Sequence, residues 1–233
     1  WKYTKEPNCS EEDRDSGQAQ GKTRWRAPQI QTRDDGSATI QLALTYTHPD
    51  RRADLIETRS IEVSPPDANG GYTIDWRSQF VAGPAGATLD RTPMPGEPQG
   101  QVNGGYAGLA ARLAAAPLVM SIVTPAGSIT RFERDRARPN APAVAANFAD
   151  RGRPAGSIAI LADPANIAQN APWYLINAAE GMRFVCSAVL APAIKKLAPN
   201  ERWDLNYRIV VQAQPFTPEG LGAAISEWRA RGE

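Results

Sequence analysis

Trp203-Asp204-Leu205-Asn206-Tyr207-Arg208-Ile209-Val210-Val211-Gln212 decides the fold class. Trp203, Leu205, Tyr207, Ile209 and Val211 fall on one side, and Asp204, Asn206 and Arg208 on the other. A period of two carried by aromatic and β-branched residues describes a strand with one apolar and one polar face.

The same pattern recurs upstream. From Ala38, Ile40, Leu42, Leu44 and Tyr46 alternate with Thr39, Gln41, Ala43 and Thr45. Thr47-His48-Pro49-Asp50-Arg51 has turn chemistry, and residues 55–63 give a second strand that fits a hairpin with the first. Tyr72, Ile74 and Trp76 open a third strand that runs to Val81. Residues 118–123, 157–161 and 173–177 read as short apolar strands, and residues 183–190 and 203–212 as a late antiparallel pair. Residues 83–105 are rich in Gly and Pro and form a long ordered loop. Residues 106–116 suit a helix by their Ala content and a strand by their position. Residues 131–155 read as a turn-rich excursion. Near the end, Thr217 caps a helix, Pro218 fits its first turn and Glu219 complements its dipole. Leu221, Ala224, Ile225 and Trp228 share one side of that helix. The expected fold is all-β, mainly antiparallel: a β-sandwich with a short C-terminal helix. Residues 1–24 form a polar arm or loop, and residues 25–233 a single β-sandwich domain.

The 233 residues are 42% hydrophobic, enough for one large core. Lys+Arg 26 against Asp+Glu 25 leaves a net charge of +1, which offers no basic field for nucleic acid. The apolar runs are short and interrupted, so none spans a membrane as a helix. The two cysteines, Cys9 and Cys186, are too few for a disulfide framework or a structural zinc site. Cys186 lies in an apolar run and reads as a buried thiol; a Cys9–Cys186 bridge is the alternative in an oxidising compartment. The single histidine, His48, excludes a multi-histidine metal site or a catalytic triad built wholly within this chain, and no phosphate-binding loop or nucleophile elbow is present.

Three groups of residues can carry chemistry. Glu57 and Arg59 lie two apart on one strand and project together, as do Asp75 and Arg77 on the next. Such rows form either a solvated ion lattice or a concave sugar-binding face on which Arg donors grip hydroxyls and carboxylates. Asp163-Pro164-Ala165-Asn166 with Pro172-Trp173-Tyr174 pairs oxygen groups with aromatics. Asp and Asn in such turns cap their own backbone, or here recognise sugar with Trp173 as a stacking platform. Tyr106 and Arg112 follow the Gly-rich loop.

These residues also carry a resemblance. Asp90-Arg91-Thr92-Pro93-Met94-Pro95-Gly96-Glu97 and Gly104-Gly105-Tyr106-Ala107-Gly108-Leu109-Ala110-Ala111-Arg112 resemble a family of soluble bacterial proteins catalogued as "methane oxygenase PmoA-like". The likeness runs from about Trp25 onward, through Gly156-Ser157-Ile158-Ala159-Ile160-Leu161-Ala162-Asp163-Pro164-Ala165-Asn166 to Leu205-Asn206-Tyr207-Arg208-Ile209-Val210. It implies secreted or periplasmic β proteins of sugar-degrading bacteria, with a mutarotase-like supersandwich. Members of that family carry an upstream Asp-His and His-His segment, and Trp1 resembles its end. A divalent metal would then draw its ligands from outside this chain. The family's Asp-His-Pro reads Ala162-Asp163-Pro164 here.

Two functional expectations follow. In the first, the protein is carbohydrate-active, acting on or binding a glycoside or modified sugar, an oligosaccharide included. Asp163 or Glu57 is then the acid/base, Arg112 holds an anionic or hydroxyl-rich group, and Arg59, Asp75, Tyr106, Asn166 and Trp173 line a concave face. In the second, it is a non-catalytic binding or assembly subunit whose sheet is completed by a second polypeptide.

Overall fold

The computed structural model describes residues 21–47, 53–114, 117–167, 172–179 and 181–230. A meander opens the chain: β1 (Lys22–Trp25), β2 (Gln29–Thr32), β3 (Ala38–Thr47), β4 (Ala53–Val63) and β5 (Tyr72–Ala82). β6 (Ala87–Leu89) and β7 (Ala110–Leu113) bracket the Gly/Pro loop. Then come β8 (Val119–Thr124), β9 (Gly127–Ile129), β10 (Arg136–Ala137), β11 (Ala143–Asp150) and β12 (Arg153–Ala162). A 3-10 turn at Pro164–Asn166 leads to β13 (Trp173–Asn177), β14 (Arg183–Ser187), β15 (Lys195–Leu197), β16 (Arg202–Gln212) and the helix α1 (Pro218–Ala230).

The strands form a large and a small antiparallel sheet. The large sheet has ten strands in the order β1-β3-β4-β5-β16-β12-β11-β8-β9, with β2 on the free part of β3. The small sheet runs β10-β13-β14-β7, and β15 pairs with β6 beside them. The two sheets pack face to face. Met120, Ile122, Val144, Ile160, Leu205 and Tyr207 of the large sheet meet Trp173, Leu175 and Val185 of the small one. The opposite face of the large sheet carries α1. There Ala143, Ala145 and Ala159 leave room for Phe216, Leu221 and Ile225 to approach closely. Asn147 fixes the chain entering that helix, donating to the Phe216 carbonyl and accepting from its N–H, both at 2.9 Å. Thr217 caps α1, its hydroxyl accepting from the Gly220 N–H at 3.0 Å.

The all-β, mainly antiparallel sandwich with one short C-terminal helix is therefore the observed architecture. Three local expectations change. Residues 131–155 contain β11, a central strand buried on both faces, where alternation disappears because both sides are core. Residues 110–113 of the ambiguous segment are a strand. β14 and β16 are not partners: β14 lies between β13 and β7, while β16 lies between β5 and β12. Periodicity identifies a strand, but its neighbours are chosen by packing. Lys22–Trp25, at the join of the expected arm and domain, pair with β3. Most of the arm, Cys9 and His48 lie outside the described residues. Cys186 is a free, buried thiol. No helix among the described residues is long and apolar enough to cross a membrane.

Candidate functional site

Register sets the candidate residues apart. In the β4–β5 ladder, Glu57 opposes Phe80 and Arg59 opposes Ser78. Alternation then puts Glu57, Arg59, Trp76 and Ser78 on the inner face, toward the small sheet, and Asp75 and Arg77 on the helix side.

Asp75 therefore leaves the proposed concave face. It forms a bidentate pair with Arg208, its cross-strand partner, at 2.6 and 2.7 Å. The Arg208 guanidinium lies 5.8 Å from the Trp228 ring centroid on α1. This pair fastens the helix side of the sheet.

Trp173 also leaves the surface. It is 1% exposed between the two sheets, and its indole N–H donates to the Ala141 carbonyl at 2.8 Å. A ring enclosed by core cannot stack on a sugar. Arg112 opposes Phe184 and Trp173 opposes Ser187, so the two lie on opposite faces of the small sheet. The expected cleft shared by Tyr106, Arg112 and Trp173 is not formed.

The Asp163–Asn166 segment is a clamp. Asp163 caps the 3-10 turn by accepting from the Ala165 N–H at 2.8 Å. Asn166, almost fully buried, accepts from the Asn206 N–H at 2.7 Å and donates to the Asn206 carbonyl at 2.8 Å. Its amide oxygen and nitrogen are both engaged by the backbone of β16, as a backbone-capping reading of this turn requires, and the side chain is almost fully enclosed. Asp163 keeps its second oxygen uncommitted among the described residues.

Glu57 and Arg59 remain together, in a more elaborate arrangement than two neighbours on a strand. Glu57 is fully buried, yet its carboxylate accepts four hydrogen bonds. Arg59 donates from Nε at 2.7 Å and from Nη2 at 2.9 Å. The Tyr46 hydroxyl donates at 2.6 Å and the Ser78 hydroxyl at 2.7 Å. Ser78 in turn accepts from the Trp76 indole N–H at 3.1 Å. The Arg59 guanidinium lies over the Trp76 ring, 4.8 Å from its centroid. Its side chain is 23% exposed, and Nη1 meets no acceptor among the described residues. Burial, followed by the negative charge of Glu57, pushes the Tyr46 phenol well above its ordinary range.

This arrangement decides what Glu57 can do. A buried carboxylate saturated by four donors orients other groups and is ill suited to shuttling protons. It holds the guanidinium in one orientation by its Nε and Nη2 edge. Around it, Ile40, Leu42, Ile61 and Ile74 are only half buried, because β3–β5 extend beyond the cover of the small sheet. Among the described residues no group of three His, Cys, Asp or Glu could hold a metal ion.

Sequence reasoning did not find Tyr46 or Ser78 as partners of Glu57, nor Trp76 as the ring beneath Arg59. The available signal was parity: Glu57 and Arg59 share their side of β4 with Leu55, Ile61 and Val63, which marks a face too apolar for a solvated ion lattice.

The chain belongs to a family of unknown function (DUF6807), whose model matches residues 1–226. Among curated proteins, none matches the sequence. Solved structures similar to it include three chains. The galactosidase domain of an alpha-galactosidase–sucrose kinase is 12% identical, at a TM-score of 0.39 over 82% of this chain and 27% of that one. A candidate aldose 1-epimerase from Klebsiella pneumoniae subsp. pneumoniae MGH 78578 is 9% identical, at a TM-score of 0.40 over 86% and 56%. A TPR-domain containing protein from Parabacteroides distasonis ATCC 8503 is 9% identical, at a TM-score of 0.33 over 84% and 36%. The chain thus spans 27% to 56% of the length of these proteins.

Proposed function

We propose that this chain is the saccharide-recognising sandwich of a carbohydrate-active protein, and that it binds a sugar on the inner face of its large sheet, at Arg59 and Trp76. The observation that carries the reading is the Arg59 guanidinium, locked by Glu57, laid on Trp76, partly exposed, and with Nη1 unengaged among the described residues. A guanidinium whose orientation is already fixed loses little conformational entropy on gripping vicinal hydroxyls or a carboxylate. An indole beside it supplies apolar surface for the C–H side of a sugar ring. Glu57 is a positioning residue in this scheme. Asp163 follows Ala162 at the end of β12 and lies in the row of Asn206 and Arg77, so alternation puts it on the helix side, away from Arg59, and the reading is one of binding.

The test is a titration of neutral and acidic mono- and oligosaccharides followed by tryptophan fluorescence. A saturable change is expected for at least one sugar. Arg59→Lys keeps a cation beside Glu57 but removes the planar donor set, and weakens that sugar at least tenfold. Equal affinity in Arg59→Lys, or no saturable sugar across the panel, would overturn the proposal.

A further inference from the structure

The outer face of the small sheet, turned away from the large one, carries a second arrangement that involves none of these residues. Tyr174 is buried at its centre, and two arginines converge on its ring. Arg138 lies over the ring, 4.5 Å from the centroid. Arg136 donates from Nε to the phenol oxygen at 3.0 Å. Tyr106, 45% exposed, stands beside them with its ring centroid 6.0 Å from that of Tyr174.

Both guanidiniums are also tied to backbone carbonyls. Arg138 donates to the Val102 carbonyl, and Arg136 to the Arg134 carbonyl. No carboxylate among the described residues forms an ion pair with either. Glu133 and Asp135, nearest in sequence, are exposed and pair with neither; Glu97 is engaged by Arg91 and by the Met94 N–H. Burial lowers the hold of Arg138 on its proton, partly opposed by Tyr174 and helped to a lesser degree by the like charge of Arg136. Gly105, at φ +79, lies against both Met94 and Arg138: a Cβ there would meet the Met94 Cγ at 2.9 Å and the Arg138 Nη1 at 3.3 Å. At the far edge of the same face, Arg112 lies in the row Arg136–Ile176–Phe184–Arg112, about 14 Å from Arg136 by strand spacing.

Two like charges fixed on one ring are costly unless an anion joins them. We propose that this face binds the carboxylate of a uronic acid between Arg136 and Arg138, with the Tyr106 ring as platform for the sugar. Paired guanidiniums match the planar carboxylate, and the exposed phenol ring offers its face to the pyranose C–H groups. Arg112 is placed to meet a further charge on a longer acidic saccharide.

The experiment is calorimetric titration of the full chain with glucuronate, with acetate for the bare carboxylate and with glucose for the neutral ring. Saturable glucuronate binding is expected, with acetate and glucose at least tenfold weaker. Arg138→Gln removes at least tenfold of the glucuronate affinity. Tyr106→Ala alters an exposed ring, keeps the fold, and brings glucuronate down toward acetate. Arg229→Gln, on the exposed side of α1 across the large sheet, leaves the binding unchanged, which separates this site from a general effect of charge. Acetate equal to glucuronate would reduce the site to a generic anion hole and overturn the sugar assignment. Binding that survives both Arg138→Gln and Tyr106→Ala, or that is lost in Arg229→Gln, would overturn the site itself.

Discussion

Arg59 and Asp75 occupy neighbouring strands, yet their side chains lie on opposite sides of the large sheet. Arg59 is opposite Ser78, and the odd offset from Ser78 to Asp75 reverses direction. One sheet thus carries carboxylate–guanidinium pairs on both of its faces. Glu57–Arg59 sits on the inner face, with part of its cation open. Asp75–Arg208 sits under α1, with both side chains mostly covered.

This separation gives a direct expectation. Asp75→Asn removes the charge partner of Arg208 and destabilises the fold by about 1–3 kcal/mol, measured by urea unfolding. Saccharide affinity in the same variant stays within twofold of wild type. A large loss of affinity with an intact fold would move the binding face to the helix side.

Glu57 is the costliest single position in the inner-face site. Glu57→Ala leaves a partly buried guanidinium and two hydroxyls without their acceptor, and costs about 3–5 kcal/mol. Glu57→Gln keeps an acceptor oxygen for part of that set and costs less. It also frees Arg59, so sugar affinity falls even where the protein remains folded. Chemical denaturation ranks the two variants; a cost for Glu57→Ala below about 1 kcal/mol would contradict the hydrogen-bonded burial described above.

Asn166→Ala uncouples the 3-10 turn from β16. The Asn206 N–H and carbonyl lose their side-chain partners, at about 2–3 kcal/mol by thermal or urea unfolding. Trp173→Ala removes a ring enclosed between the sheets and costs about 3–5 kcal/mol. In both variants the expected change is in stability. A selective loss of sugar binding in a protein of unaltered midpoint would restore these residues to a ligand site.

Alkaline pH probes the core. Burial pushes the Cys186 thiol up to about 12 from its ordinary 9.0. The folded state therefore keeps a proton that the unfolded chain releases. Stability is full below pH 9 and declines from there toward pH 12, by up to about 1.4 kcal/mol per pH unit. Tyr46 and Tyr207, both raised first by burial, add to the decline above pH 10. Cys186→Ala removes the slope between pH 9 and 10. At pH 8 the native thiol resists alkylation, and mass spectrometry detects modification of Cys186 only after denaturant is added.

Most long strands were legible because one side of each is polar. β3, β4, β5 and β16 alternate plainly, and α1 repeats its apolar residues at helical spacing. β11 was hidden because Ala143-Val144-Ala145-Ala146 is core on both sides and has the composition of a helix. The sites were less legible than the fold. Glu57 and Arg59 share a face by spacing alone, but their partners come from β3 and β5. Arg136 and Arg138 carry no local signature, since what joins them is a ring on β13. Trp173 and Asn166 have the residue types expected of a sugar site, and only their enclosure between layers shows that they hold the protein together.

The placement of β16 also sets an order of assembly. The meander β1–β5 and the group β8, β9, β11, β12 share no ladder; β16 alone joins them. A nascent chain that has emerged only as far as residue 200 would hold two unjoined half-sheets, with β5 and β12 each presenting a bare edge. Closure must await late translation, and refolding from denaturant should show one slow step in which both halves gain protection from hydrogen exchange together.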